Sequence, residues 1–121
     1  MVKTFAYSYL KKEYELAFYV SSYSSNGNMA IKLILPNEED VWGDLTVNLD
    51  LLIPGYAFVD TNNNPGIEKV IEKYGFAKPT GTTRTNGFCE YPLYEFNLDK
   101  MKPYIHPESD YFMVKKEEEN A

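Results

Sequence analysis

One stretch, residues 59–75, carries a full set of helix signals and constrains what the rest of the chain can do. Asn64 is placed to cap the first orphan amides, and Pro65 suits the first helical turn. Ile67, Val70, Ile71 and Tyr74 recur at i, i+3, i+4 and i+7, an apolar stripe able to seat a helix on a sheet. Gly75 suits the left-handed position that closes a helix. A main helix is therefore predicted over about residues 65–74, with strand-like sequence on both sides of it.

The strand signals are strongest before the helix. Phe5, Tyr7 and Tyr9 alternate with Ala6 and Ser8, and Lys11, Lys12 and Glu13 read as a polar turn. Leu16, Phe18 and Val20 then share one face, opposite Glu15, Ala17, Tyr19 and Ser21. Asn26-Gly27 is a strong hairpin signal because both residues tolerate positive φ. The return strand places Met29, Ile31, Leu33 and Leu35 on one side. Leu45, Val47 and Leu49 alternate with Thr46, Asn48 and Asp50, predicting another half-buried strand. Tyr56 to Val59 is either a short strand or the approach to the helix.

Beyond the helix, residues 79–87 read as a small polar loop holding Arg84, the only arginine. Phe88 to Leu98 is a strand in which Pro92 implies an edge or a bulge. A single helical turn is expected over residues 98–102, before Pro103. The fold class predicted is α+β: an antiparallel sheet of about 5–6 strands covered by one main helix. Residues 1–104 form one domain, followed by a charged, partly flexible tail over residues 105–121.

A net charge of −6 speaks against a binder that neutralises phosphates, so no direct nucleic-acid contact is expected. The distribution matters more. Between Lys32 and Lys69 there is no Lys or Arg, yet Glu38, Glu39, Asp40, Asp44, Asp50, Asp60 and Glu68 all fall there. Such a run is either a solvated face that aids solubility or a surface that docks on a basic partner. No signal peptide or membrane span is visible, which leads to the expectation of a soluble, cytoplasmic protein.

Signs of catalysis are weak. His106 is the only histidine and reads as an inert loop residue. Cys89, the only cysteine, reads as a small buried hydrophobe. The residues from Gly81 to Gly87 lack the phosphate-loop motif and read as a plain connection. Asp44, Asp50, Asp60 and Glu90 offer carboxylates for a divalent ion, without any spacing that singles them out. The chain is expected to be non-enzymatic, with no cofactor, catalytic residue or metal site.

Several blocks together carry a resemblance. They are residues 15–20 with 26–31, residues 45–49, residues 57–63, and residues 78–81 with 86–94. They resemble a family of small acidic domains carried by bacterial plasmids and conjugative elements. In size and blocks the chain also looks like type II anti-CRISPR proteins. The resemblance implies binding to an effector nuclease of the Cas-nine kind and interference with guide-RNA loading or target-DNA recognition. Such effectors hold nucleic acid in positively charged channels, which an acidic surface could occupy. The alternatives are an accessory protein-binding domain with another partner, or a metal-dependent nuclease acting on RNA. The partner-binding residues expected are Glu38, Glu39, Asp40, Asp44, Asp50 and Asp60, with Trp42 as an aromatic anchor or a core residue.

Overall fold

The computed structural model describes residues 2–50 and 53–114. Its eight strands are β1 (Phe5–Tyr9), β2 (Lys12–Ser22), β3 (Met29–Leu35), β4 (Asp40–Asp44), β5 (Thr46–Val47), β6 (Tyr56–Val59), β7 (Ala77–Asn86) and β8 (Cys89–Phe96). Two short helices, α1 (Ile67–Lys73) and α2 (Leu98–Met101), complete the set with a 3-10 turn at Lys102–Tyr104. The fold is mixed, as expected, but the layout differs from the expectation. Instead of one sheet of five or six strands there are two antiparallel sheets of four, ordered β1-β2-β3-β4 and β5-β6-β8-β7.

The β2–β3 hairpin forms as its alternation predicts, from Ala17↔Ile34 to Ser22↔Met29. Its connection is longer than a two-residue turn. Tyr23 N–H donates to the Asn28 carbonyl at 2.9 Å, and Gly27 alone in that loop takes positive φ, at 77°. β2 divides its pairing, with Lys12 to Leu16 on β1 and Ala17 to Ser22 on β3. The β1–β2 turn lies at Leu10 and Lys11, one residue earlier than expected, with φ of 50° and 65°. Positive φ at both central residues matches the twist of the flanking strands.

The seam between the sheets is Leu45-Thr46. Leu45 N–H donates to the Ile31 carbonyl at 2.9 Å, while its own carbonyl accepts from Asp60 N–H at 2.8 Å. Thr46 Oγ1 accepts from Ile31 N–H at 3.1 Å. Both residues are buried, so the expected alternation through Leu49 stops and β5 is only two residues long. One apolar cluster draws on both sheets, with Phe5, Leu16, Phe18, Ile31, Val59 and Phe96 among its members. Each such side chain contributes about 1.5–3 kcal/mol by leaving water.

α1 is shorter than predicted, and Asn64 does not cap it. Gly66, at φ 79°, is the N-cap residue and no side chain caps the helix. Its end follows the sequence closely. Gly75 has φ 75°, its N–H donates to Glu72, and Phe76 N–H donates to Ile71 at 2.9 Å. This pair of bonds satisfies carbonyls that the last turn leaves open. Ile67 and Ile71 are fully buried, while Val70 and Tyr74 pack against the core from half-exposed positions.

Two further expectations are corrected, and one left open is decided. Residues 79–87 are mostly strand, not loop: β7 pairs along β8, with a register shift between Pro79 and Thr83. Pro92 faces Thr83 at that irregularity, so the bulge explains it and the edge does not, because β8 lies between β6 and β7. Residues 105–114, placed in a tail by their sequence, pack onto β2 instead. His106 N–H donates to the Phe18 carbonyl at 2.8 Å, and the buried Ser109 Oγ accepts from Val20 N–H at 2.9 Å. The charged run over residues 115–121 lies outside the described residues. The turn before Pro103 forms as α2, capped by Asn97 Oδ1 accepting from Lys100 N–H at 3.1 Å.

Candidate functional site

Pro36 to Glu39 turn the chain from β3 into β4, with Glu38 N–H donating to the Leu35 carbonyl at 3.0 Å. Glu39 takes φ 53° in this turn. Glu38, Glu39 and Asp40 are all exposed on it. β4 is the edge of its sheet, and it is short, charged and irregular, features that discourage addition of a foreign strand. Side-chain contacts are therefore the better use of this edge.

The irregularity sits at Trp42. Leu33 pairs with Gly43 and Ile34 with Val41, which leaves Trp42 as the extra residue on β4. A bulge re-aims the side chain it frees. The Trp42 ring packs among Tyr14 (centroids 4.4 Å apart), Tyr9 (5.4 Å) and Tyr7 (6.0 Å). Its Nε1–H donates to Asn64 Oδ1 at 3.2 Å. Trp42 is thus neither a free anchor nor a fully buried core residue.

Asn64 is 2% exposed and uses every side-chain group. Besides accepting from Trp42, its Nδ2 donates to the Asp44 carbonyl at 2.9 Å and the Asp60 carbonyl at 3.0 Å. The residue expected to cap the helix instead ties β4 to the segment after β6. Capping needs the side-chain oxygen to face the helix amides; here Oδ1 is taken by the Trp42 indole N–H, and Nδ2 by backbone carbonyls 4 and 20 residues away.

Around this tie lies a cleft of about 340 Å³, lined by Tyr9, Trp42, Asp44, Asp60, Asn63 and Asn64 with the Gly43 backbone. Asp60 is only 7% exposed. Its Oδ1 accepts from Asn63 N–H at 3.0 Å and its Oδ2 from Asn63 Nδ2 at 2.8 Å. Asp44 is exposed and meets Lys32 at 3.0 Å across the strands, so the acidic run has a counter-charge that its sequence conceals. A pair this open contributes about 0–1 kcal/mol. Tyr7, beneath Trp42, has its phenol pushed up to about 12 by burial, with Tyr9 and Glu68 nearby adding to the shift.

Of the seven residues expected to bind a partner, Glu38, Glu39, Asp40, Trp42 and Asp44 share one turn and strand. Asp60 joins Trp42 and Asp44 in the cleft but is buried. Asp50 does not line it; the Asp50 carbonyl accepts from Arg84 Nη1 at 2.7 Å. Tyr9, Asn63 and Asn64 line the cleft and were missed as site residues. The unbroken run of asparagines at 62–64 was the available signal, because such amides tend to bond backbone rather than extend a helix.

Among the described residues no three histidine, cysteine or acidic side chains gather where a metal ion could sit, so Asp44, Asp50, Asp60 and Glu90 do not converge. Cys89 is half-exposed rather than buried. His106 packs its ring near Tyr19, with centroids 5.9 Å apart, and its Nδ1 accepts from Glu108 N–H. No helix of the described residues is long and apolar enough to cross a membrane.

The fold and cleft define a small two-sheet α+β domain with an acidic, aromatic edge. A family model described as a domain of unknown function (DUF4313) matches residues 17–116, and the chain belongs to that family. No curated protein and no solved structure matches the chain.

Proposed function

We propose that this chain is a non-enzymatic inhibitor that docks on a basic surface of a protein partner. One observation carries the reading: Glu38, Glu39 and Asp40 are consecutive, exposed and outside every ion pair among the described residues, and they lead directly into the strand whose Trp42 walls a cleft with Tyr9. Clustered charge steers association, while partly buried aromatic rings supply contact area at low conformational cost. On the resemblance noted for the sequence, the partner is a type II CRISPR effector of the Cas-nine kind. Its positively charged channel is the surface that the acidic turn complements, and guide-RNA loading or target-DNA recognition is the step impeded. The test is DNA cleavage by purified effectors from several bacteria, with the protein added before or after guide RNA. Inhibition in at least one order supports the reading. Full cleavage in both orders across the panel removes it.

A further inference from the structure

We propose that two copies of this chain pair through β7, each sending Phe88 into a cleft on the other. The inference is independent of the docking reading above, because β4 and its acidic turn belong to the other sheet. Its first support is an unfinished edge. β7 is an outer strand of ten residues, nearly all exposed, and four of its side chains are threonines, which suit a pleated strand. β6 pairs with β8 only between Tyr56↔Glu95 and Phe58↔Leu93, so past that point β7 and β8 form a bare two-stranded ribbon. Such a ribbon is marginal in water without a further strand or a cover. The irregularity of β7 is confined to residues 80–82, with paired runs on both sides of it.

The second support is that the two ends of this strand match. At the far end Gly87, with φ 65°, turns the hairpin and leaves the Phe88 side chain fully exposed. At the near end lies a second cleft, of about 560 Å³, lined in part by Gly75, Ala77, Phe96, Leu98 and Met113. That volume lies within the roughly 300–1,000 Å³ of ligand sites and has room for a phenyl ring. Antiparallel pairing about a two-fold axis at Thr82 and Thr83 brings the tip of one copy level with residues 75–77 of the other. Each tip therefore meets the opposite cleft, a self-complementary contact that closes as a dimer. The third support is charge. The chain carries −6, yet residues 76–89 hold Lys78 and Arg84 and no acid. The copies thus meet along a stretch free of negative charge, and the exposed Glu72 and Asp99 of the cleft lining meet a strand whose charges are positive. With the lining included, about 20 residues a side take part, the lower end for a stable interface.

Sedimentation equilibrium of the intact chain is expected to show a reversible dimer at micromolar concentration, with twice the 14.0 kDa mass of one chain. Phe88→Ser removes the exposed ring, and Thr82→Lys sets like charges together at the axis. Each should weaken association by roughly tenfold or more and leave the circular dichroism spectrum unchanged. Cys89 is the only cysteine, so a nitroxide attached there reads the arrangement of the two copies. At about 3.3 Å per residue and 4.8 Å between strands, antiparallel pairing puts the two Cys89 positions roughly 25–30 Å apart. A chain that stays monomeric at millimolar concentration overturns the proposal. So does a dimer undiminished in either variant, or a spin pair at the much shorter separation that tip-to-tip contact gives.

Discussion

Trp42 Nε1–H and Asn64 Oδ1 meet at 3.2 Å, joining the bulged residue of an edge strand to the segment that leads into α1. The contact spans 22 positions of sequence and sets the shape of the cleft. Removing it exposes the amide's other obligations as well. Asn64→Ala strips donors from two carbonyls and the acceptor from the indole, and is expected to cost about 1–3 kcal/mol. Urea unfolding checks the cost, and native tryptophan emission should shift as the ring loosens. A change within about 0.5 kcal/mol, the usual span for surface substitutions, counts against the tie.

Gly75 holds φ 75° at the end of α1, a conformation that costs an L side chain roughly 1–2 kcal/mol. Gly75→Ala should therefore lower the melting temperature. Gly43 lies in β4 with no positive φ and no atom within 4 Å of an added Cβ. Gly43→Ala should be neutral or slightly stabilising. Thermal unfolding of the two variants side by side tests the conformational argument; equal effects would refute it.

The α1 stripe divides into buried and half-buried positions. Ile71 is fully enclosed and Val70 is not. Ile71→Ala is expected to cost about 2–5 kcal/mol, through lost transfer energy and the cavity left behind. Val70→Ala should cost less. Denaturant midpoints decide, and an inverted order would mean that α1 is seated on a different face.

Tyr7 donates its hydroxyl to the Pro65 carbonyl at 2.9 Å, and its phenol is pushed from 10.0 up to about 12. A raised folded-state value favours the neutral phenol. The stability it adds is complete below pH 10.0, falls as pH rises through the window to about 12, and is gone above it. Burial pushes Tyr23, Tyr94 and Tyr111 upward too, so they act in the same direction. Absorbance titration should show a late tyrosine fraction ionising with unfolding. Tyr7→Phe should flatten the alkaline loss of stability and, by removing the hydrogen bond, cost about 0.5–1.5 kcal/mol at neutral pH.

Charge removal at the acidic turn should act on encounter rather than on fold. The triple variant Glu38→Gln, Glu39→Gln, Asp40→Asn changes three exposed side chains. Association with the proposed effector partner should slow by roughly tenfold at low salt and lose most of its salt dependence, with dissociation little changed. Surface plasmon resonance at two ionic strengths measures this. An unchanged association rate would place the interface elsewhere.

The β2–β3 hairpin, the inward faces of both strands and the halt of α1 at Gly75 were legible in the sequence alone. Their causes are local: a period of two that buries one face, and a backbone angle that glycine adopts without strain. β4 and β7 were not legible, because they are edge strands with mostly exposed residues and no apolar alternation for a reader to follow. Asn64 was noticed but misassigned, Asp60 was noticed without its burial, and Trp42 was left open between anchor and core. Asn64 has the composition of a helix cap, Asp60 that of a surface acid, and Trp42 is suited to core or surface alike. Only the tertiary structure brings β4 beside the segment after β6, and there the buried amide and carboxylate take whatever hydrogen-bond partners the fold supplies. Apolar burial follows a period that sequence displays. Polar satisfaction depends on partners distant along the chain, and so the cleft belongs to the structure.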